Sequence, residues 1–232
     1  MNENTLEESK RFLIAYLKDK SIDYENIHPW RNTWEFIVLH SLRVEGYVKK
    51  ILAGEGVSLS DEEVLITRLA AILHDIGRIH KREEHALVGK DLIHNWLREN
   101  PAILNSISDP DRLLYLIEKH SNKEEDDSDY CLKVLRDADI LDEIGVISVF
   151  MASNWIDRSN PYFFQLLLDR LENFEIDFCD NGFKLLSTET AKSILAEKRK
   201  FIELLNKQLK DELYGTEMLG EVSIKDYFGN II

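Results

Sequence analysis

The stretch from Leu65 to Gly77, LITRLAAILHDIG, limits what this chain can fold into more than any other. Its apolar side chains recur at helical spacing and predict a helix with one buried face. Gly77 can adopt a positive φ, so we expect it to end the helix directly after the adjacent His74 and Asp75. The residues of the apolar face are Leu65, Leu69, Ile72 and Ile76.

The two ends of this predicted helix carry separate signals. Ser60, followed by Glu63, fits a capping box at the helix start. His74 and Asp75 fall in the predicted last turn, where free carbonyls and the negative end of the macrodipole favour a cation. Imidazole and carboxylate both bind divalent transition metals. Because a single His-Asp pair is equally an ordinary helix cap, a metal site requires further ligands from elsewhere in the chain.

Length and charge exclude several classes of protein. At 232 residues with 44% hydrophobic side chains, one domain is expected, with two small ones as the alternative. The net charge of −14 leaves no basic face for a nucleic-acid polymer, whereas a local cation patch or a metal would still attract a small anion. Cys131 and Cys179 lack metal-type spacing and are expected to be reduced thiols. Without a signal core or an apolar run of transmembrane length, we expect a cytoplasmic protein with no membrane partner.

Helical periods run through the chain and predict an all-α protein without a β-sheet. Asp109 and Pro110 form a good helix start, because aspartate caps a helix and proline fits its first position. Asp180-Asn181-Gly182 is expected to form a turn. The predicted helices lie at about residues 5–19, 34–52, 60–77, 84–99, 109–120, 130–144, 146–156 and 187–213, with one more from Pro161.

Three further polar side chains fall on apolar helical faces, namely His40, His120 and Asp139. A lone histidine on such a face is ordinarily a core residue bonded to a carbonyl. A buried carboxylate, however, is costly unless a cation or several donors face it. The nearby Asp137 and Asp142 fall elsewhere on the same predicted helix and are expected to be ordinary surface acids.

Four of these side chains come from three separate predicted helices, and together they suggest a metal site. They are His40, His74, Asp75 and Asp139. Helix bundles build metal sites in this way, from side chains that project off facing helices. Two imidazoles and two carboxylates suit Mn²⁺, Fe²⁺, Co²⁺, Ni²⁺ or Zn²⁺ better than Mg²⁺, which prefers oxygen ligands. The sequence therefore predicts one divalent transition metal, with coordination positions left for water and substrate.

The order of these residues resembles the motif of the HD-domain superfamily of metal-dependent phosphohydrolases, in particular a small bacterial subfamily of HD hydrolases. The local contexts are similar too, with HSLRV at 40–44, LHDIGR at 73–78 and DADILDEIG at 137–145. The resemblance implies an all-α, single-domain helical bundle of the HD type, as a monomer or homodimer. The expected parts of this domain, 1–232, are a metal-site core at about 34–158, C-terminal helices at about 161–213 and a tail at 214–232.

The resemblance also assigns roles to individual residues. The implied metal ligands are His40, His74, Asp75 and Asp139. Asp75 would in addition orient the attacking water, and would act in catalysis with His85 and His120. These two histidines match positions where superfamily members place extra histidines, which touch phosphate or hold a second metal. His120 is followed by Ser121 rather than by another histidine, and no Gly-Tyr-Pro segment occurs, so the chain departs from the cyclic-dinucleotide phosphodiesterases.

The implied reaction is hydrolysis of a phosphoester or phosphoanhydride in a small phosphorylated substrate, a nucleotide. Nucleoside triphosphate cut to monophosphate and pyrophosphate is the favoured reaction, and a nucleotide monophosphatase or a phosphodiesterase is the alternative. A non-catalytic regulatory protein that binds a nucleotide or a metal, or a helical scaffold without metal, represents a different class. The cations expected to bind substrate, unless those after Gly77 only solvate a turn, are Arg43, Arg78, Lys81 and Arg82.

Overall fold

The computed structural model describes residues 2–22, 24 and 33–214. These residues contain no strand, and their β pairing is limited to an isolated bridge between Ser21 and Thr33. The all-α prediction is therefore confirmed. None of the helices in this part of the chain combines the length and the apolar character needed to cross a bilayer. The tail predicted beyond residue 214 lies outside the described residues.

Two of the connections between helices are 3-10 turns, at Ile76–Ile79 and Ser153–Trp155. A π-helical segment spans Leu171–Glu175. The α-helices of the described residues are α1 (Asn2–Leu17), α2 (Trp34–Gly54), α3 (Asp61–Leu73), α4 (His85–Glu99), α5 (Pro101–Leu104), α6 (Pro110–Lys119), α7 (Tyr130–Glu143), α8 (Val146–Ala152), α9 (Phe163–Arg170), α10 (Ile176–Leu185) and α11 (Glu189–Tyr214).

Capping side chains set two of the predicted helix starts. The Ser60 hydroxyl accepts a hydrogen bond from the Glu63 amide at 3.2 Å, and the Glu63 carboxylate accepts one from the Ser60 amide at 2.9 Å. This is the predicted capping box of α3. The Asp109 carboxylate accepts from the Arg112 amide at 3.0 Å, with Pro110 in the first position of α6. Both predictions from local sequence are confirmed.

The turn predicted at Asp180-Asn181-Gly182 is wrong, because these residues lie inside α10. Cys179 and Gly182 are buried on this helix. Packing of that face outweighs the local preference of an Asn-Gly pair for a turn, since intrinsic propensity is a weak constraint compared with tertiary contacts.

The chain divides into two compact units. The first comprises residues 1–142 with 185–192, and the second comprises 143–184 with 193–232. All of the predicted site residues lie in the first unit. The free cysteines are buried, Cys131 in the first unit and Cys179 in the second. A single domain over residues 1–232 stays a prediction.

Hydrogen bonds to Asp137 connect residues 185–192 to the rest of the first unit. Asp137 is fully buried on α7, so the expectation that it is a surface acid is wrong. It accepts hydrogen bonds from the amides of Ser187 at 2.9 Å and Thr188 at 2.7 Å, and from the Thr188 hydroxyl at 2.7 Å. These donors offset the cost of burying the carboxylate immediately before α11 begins.

The second unit, taken by itself, also contains a buried carboxylate. Glu175, in the π-helical segment, accepts a hydrogen bond from the Ser148 hydroxyl at 2.8 Å. The Arg170 guanidinium lies 3.4 Å from the other carboxylate oxygen. Burial raises the pKa of Glu175 above its ordinary value, against the lowering effect of Ser148 and Arg170.

Gly77 follows the predicted metal ligands, but its role differs from the predicted one. Its φ is not positive, and it lies inside the Ile76–Ile79 turn. A Cβ at this position would sit 2.1 Å from the carbonyl oxygen of His85 and 2.7 Å from the amide nitrogen of Gly89. Glycine is therefore required because α4 approaches this backbone closely, and the approach places His85 beside Asp75.

Replacing Gly77 with alanine is expected to destabilise the fold by about 3 kcal/mol or more, because the added methyl group meets backbone atoms that cannot rotate away. Urea unfolding followed by circular dichroism measures the change. Gly46→Ala is the matched control, since a Cβ there meets nothing within 4 Å. In the middle of α2 it is expected to stabilise by up to about 1 kcal/mol. Equal effects of the two substitutions would contradict the close-approach argument.

Candidate metal centre

Six buried side chains of the first unit converge at one place. Their ligand atoms form three overlapping groups, within each of which the atoms lie no more than 4.8 Å apart. The groups are His40, His74 and Asp75; His74, His120 and Asp139; and Asp75, His85 and His120. The structure thus brings together all of the predicted metal ligands and both of the additional histidines. This set of six is called the His/Asp cluster below.

Helix ends and inner helix faces position the cluster. His74 follows the last residue of α3 and caps it, so the predicted position inside the last turn is shifted by one residue. His120 caps α6 in the same way. His85 is the first residue of α4, while His40 and Asp139 project from α2 and α7. The helix patterns therefore predicted the inward direction of His40, His120 and Asp139 correctly, since all three are buried.

The four imidazoles share one hydrogen-bonding arrangement. In each ring, Nδ1 lies against an oxygen acceptor. Because a carbonyl oxygen or a carboxylate can only accept, Nδ1 carries the proton, and Nε2 of the neutral ring keeps a lone pair. The acceptors are the carbonyl of Ala71 for His74 at 2.8 Å, of Arg82 for His85 at 2.6 Å and of Ile117 for His120 at 2.7 Å, and the carboxylate of Asp142 for His40 at 2.8 Å.

The centre of the cluster is rich in lone pairs. Nε2 of His40 lies 3.2 Å from Nε2 of His74, and Nε2 of His85 lies 3.2 Å from Nε2 of His120. The Oδ1 atoms of Asp75 and Asp139 are buried there without a hydrogen-bond partner. Buried carboxylate oxygens that face imidazole nitrogens are unfavourable unless a cation, either a metal or a protonated ring, lies among them. The cluster therefore fits a divalent metal, and its nitrogen and oxygen ligands fit a transition metal.

Burial keeps two of the imidazoles neutral. It lowers the pKa of His74 to about 3 and that of His85 to about 4. Burial acts on His40 in the same direction, but Asp139, Asp142 and Asp75 outweigh it and hold the pKa of His40 well above its ordinary value. Ligation of a metal by His40 would therefore displace a proton, as metal binding to imidazole requires.

Cations hold the two cluster carboxylates ionised. Burial would raise the pKa of Asp75, but Arg78 and the neighbouring imidazoles outweigh it and hold that pKa well below the ordinary value. The pKa of Asp139 is lowered in the same way, by Lys123 and by His40 and His74. Arg78 donates from Nε to Asp75 Oδ2, and Lys123 Nζ lies 2.9 Å from Asp139 Oδ2. In both carboxylates a cation contacts Oδ2, while Oδ1 is left to the cluster.

Asp142 lies behind His40, and the expectation that it is a surface acid is wrong because it is buried. Its Oδ2 accepts the Nδ1 proton of His40, and both of its oxygens accept from Arg43, at 2.7 and 2.8 Å. Arg43, predicted to bind substrate, is thus engaged in a bidentate ion pair with the carboxylate that contacts His40. The sequence holds a signal for this arrangement, since Arg43 follows His40 by three residues and Asp142 follows Asp139 by three.

Of the three cations predicted after Gly77, Arg78 contacts the cluster through its side chain, at Asp75. Lys81 pairs with Glu84, and both side chains are largely exposed. Arg82 contributes its backbone carbonyl to His85. Lys81 and Arg82 instead line a surface pocket of about 440 Å³ together with Tyr24 and His80. Lys123 was missed from the sequence, because a connection between helices has no periodicity that shows which way a side chain points.

The comparisons with known proteins agree with this architecture. The sequence model of the HD domain matches residues 37–144, a range that contains every residue of the His/Asp cluster. A predicted HD superfamily hydrolase from an uncultured Thermotogales bacterium is 20% identical, with a TM-score of 0.59 over 89% of this chain and 91% of its own. An HD-superfamily hydrolase from Bacillus thuringiensis is 19% identical, with a TM-score of 0.59 over 91% and 98% of the two chains.

A third solved structure is Bacillus subtilis YpgQ in complex with ADP. It is 20% identical and has a TM-score of 0.59, with 93% of this chain and 98% of that chain covered. At these identities the structural matches establish the fold. No curated protein sequence matches this chain. From the match of the domain model, the chain carries an HD domain at residues 37–144, and the solved structures share its fold.

Proposed function

We propose that this protein is a metal-dependent phosphohydrolase that acts on nucleotides and cuts nucleoside triphosphates to monophosphate and pyrophosphate. The HD domain at residues 37–144 supports a hydrolase role in general. The observation that carries the proposal is the His/Asp cluster, in which imidazole lone pairs and the unpartnered Oδ1 atoms of Asp75 and Asp139 converge. A metal-free scaffold would gain no stability from burying these carboxylate oxygens beside imidazole nitrogens without a cation.

The proposed metal ligands are His40, His74, Asp75 and Asp139. A divalent metal held by them supplies Lewis acidity, which lowers the pKa of bound water to about 7 and stabilises charge on a phosphoryl oxygen. Asp142, through its hydrogen bond to His40, keeps that ring in the orientation that ligation needs.

Asp75 is placed to serve two ligand groups. Its Oδ2 lies 3.3 Å from Nε2 of His40, whereas its Oδ1 lies 3.3 Å from Nε2 of His85 and 3.5 Å from Nε2 of His120. A carboxylate oriented in this way can accept a hydrogen bond from the attacking water while its other oxygen remains a ligand. This arrangement supports the predicted double role of Asp75.

His85 and His120 fit cation binding better than proton donation to phosphate. Their Nδ1 protons are donated to backbone carbonyls, so their Nε2 atoms can only accept or ligate in the neutral ring. Burial lowers the pKa of His85 to about 4, which disfavours the imidazolium that could donate. With Asp75 they form a ligand group of their own. Their proposed role is to hold a second cation against the substrate phosphate.

Local charges favour a phosphorylated substrate in spite of the net charge of −14. Each buried acid of this site is paired with a cation: Asp75 with Arg78, Asp139 with Lys123, and Asp142 with Arg43. The charge of a bound metal is therefore not cancelled by the protein and remains available to an anion.

A nucleotide is the favoured substrate because a polyphosphate uses several positive contacts, which a monoester does not. The structurally similar YpgQ was crystallised with ADP, which also supports a nucleotide. Hydrolysis of nucleoside monophosphates or of phosphodiesters is the alternative within the same chemistry. A regulatory protein that binds a nucleotide without turnover is the alternative from another class, and the two classes differ in whether any phosphoester is consumed.

Phosphorus NMR of a reaction with Mn²⁺ and a panel of nucleoside triphosphates is expected to show monophosphate and pyrophosphate as the first products, because cleavage is proposed at the α–β linkage. Orthophosphate first would indicate γ cleavage, or a monophosphatase if monophosphates react faster. Tripolyphosphate first would indicate a triphosphohydrolase that releases nucleoside. If metal is bound and no phosphoester is consumed, the regulatory class is correct.

His74→Ala and Asp139→Ala are each expected to abolish tight binding of Mn²⁺, since each removes a ligand. In the wild type, Mn²⁺ at a hundred times its Kd should stabilise the fold by about 2.7 kcal/mol, because the unfolded chain lacks the assembled site. Metal content and thermal unfolding with and without Mn²⁺ measure both effects. His94→Ala, on the exposed face of α4, is the matched control and should keep both. Wild-type protein that takes up no metal would contradict the proposed site.

Asp142→Asn is expected to weaken Mn²⁺ binding about 10–100-fold, the usual cost of losing a partner behind a metal ligand. Asp142 accepts from His40 and Arg43 on the same carboxylate, so an amide must turn its NH₂ group toward one of these donors. Chelator competition measures the affinity. Asp126→Asn, the same change at an exposed acid, should have no effect. If the two variants bind Mn²⁺ equally well, Asp142 does not orient His40.

A further inference from the structure

Lys123 reaches the His/Asp cluster from a connection between helices. It lies between α6 and α7 in the acidic run SNKEEDDSD, residues 121–129. The run itself is rich in acids, and one of them, Glu125, lies 4.0 Å from Lys119. Lys123 instead places Nζ 2.9 Å from Oδ2 of Asp139. The ammonium group is thus directed into the site rather than along the acidic surface.

Arg136 holds this connection in place. It is buried on α7 and donates from Nε and Nη2 to the carbonyl of Lys119, at 3.2 and 2.9 Å, and from Nη1 to the carbonyl of Glu125, at 2.8 Å. The two acceptors flank Lys123 in the sequence. A buried guanidinium that donates its hydrogen bonds to backbone carbonyls fixes the path of the chain. The backbone path on either side of Lys123 is therefore held by contacts other than the one between Lys123 and Asp139.

The two oxygens of Asp139 face different surroundings. Oδ1 lies 3.2 Å from Nε2 of His40 and 3.8 Å from Nε2 of His74, whereas Oδ2 faces Lys123. The side chain of Lys123 is 19% exposed, compared with 3% for Asp139. The ammonium group of Lys123 is therefore closer to solvent than the carboxylate with which it pairs.

A divalent cation held by the cluster would share the charge of Asp139 and would repel the nearby ammonium. Its presence would therefore weaken the attraction between Lys123 and the carboxylate. A lysine side chain is a compact charge on a flexible stem and can turn toward a new anion over a short distance. Arg78 holds the equivalent position on Asp75, so the two cations lie at the two carboxylates of the cluster.

From this geometry we propose that Lys123 contacts a phosphate group of the substrate and that Arg136 is the residue that positions it. The inference deepens the proposed function and rests on it, because it names a phosphate contact in the same site. Lys123 binds a non-bridging phosphate oxygen by a charge-assisted hydrogen bond while Asp139 ligates the metal. No bond is formed or broken by Lys123 itself.

The test uses full-length protein loaded with Mn²⁺ and compares Lys123→Met and Lys123→Arg with the wild type. Lys123→Met is expected to weaken pyrophosphate binding, measured by calorimetry, and to lower kcat/KM for a nucleoside triphosphate, each about 10- to 100-fold, the effect of one charge-assisted hydrogen bond. Its Mn²⁺ affinity, measured by chelator competition, should stay equal or become tighter. Lys123→Arg should recover most of the pyrophosphate binding.

Lys133→Met is the matched control. It removes a positive charge from the start of α7, where that charge acts on Asp127 rather than on the cluster. It should leave pyrophosphate binding and kinetics unchanged. An equal loss in Lys133→Met and Lys123→Met would mean that only the general field matters, which would overturn the proposal. If Lys123→Met does not fold, Lys123→Gln keeps a polar tip and is judged by the same outcomes.

Two further results would overturn the inference. If Lys123→Met binds Mn²⁺ more tightly but keeps wild-type pyrophosphate binding and kcat/KM, Lys123 is only a counter-ion of Asp139. If Lys123→Met loses Mn²⁺, Lys123 belongs to the support of the ligands and not to the substrate contact. Failure of the proposed function looks different: the wild type would turn over no phosphoester, yet pyrophosphate binding that depends on Lys123 would still support the phosphate contact. Wild-type protein that binds no pyrophosphate contradicts the contact directly.

Discussion

The direction of four imidazole rings determines what the rest of this site can do. Three of them use the same device, in which Nδ1 donates to the carbonyl three residues earlier: His74 to Ala71, His85 to Arg82 and His120 to Ile117. For His74 and His120 the acceptor is one of the carbonyls that a helix end leaves without an intrahelical partner. One hydrogen bond thus satisfies a helix end, fixes the tautomer and directs Nε2 into the cluster.

The same arrangement buries the carboxylates of the cluster, and their burial explains why cations lie next to them. Asp75 and Asp139 are nearly inaccessible to water, which would drive them toward the neutral acid if no positive group were near. Arg78 and Lys123 prevent this, and they do so from the solvent side, where their side chains stay partly exposed. Each buried carboxylate is therefore stabilised by an ion pair, which offsets the free-energy cost of burying it. In each pair, one carboxylate oxygen still faces the cluster.

Sequence patterns predicted the fold class and the inward direction of His40, His120 and Asp139 because these residues lie on helices with a clear apolar face. They failed on Asp137 and Asp142 for a physical reason. From Cys131 to Asp142, α7 is buried around nearly its whole circumference, so no single face separates core from surface. Periodicity then identifies one buried acid and misassigns the others.

Lys123 was missed for a different reason. The contacts that place it are formed in three dimensions and produce no local sequence pattern. Its connection is held by a residue 13 positions later, Arg136, through backbone carbonyls that any sequence would supply. The contacts that place Lys123 and those that support His40 all involve residues of α7. This helix supplies Asp139 to the cluster, supports His40 through Asp142 and, through Arg136, holds the connection that carries Lys123.

This concentration of roles on one helix also bears on how an acidic protein attracts an anion. A net charge of −14 repels phosphate at long range, but screening at physiological salt limits that repulsion to about 8 Å. Inside this distance the buried acids are already paired, so an arriving phosphate meets Arg78, Lys123 and any bound metal rather than free carboxylates. A nucleic-acid polymer would have to cover the acidic surface as well and would release no counterions from a basic face. A short polyphosphate that carries its own cation would avoid that cost, so the charge distribution supports the small phosphorylated substrate proposed above.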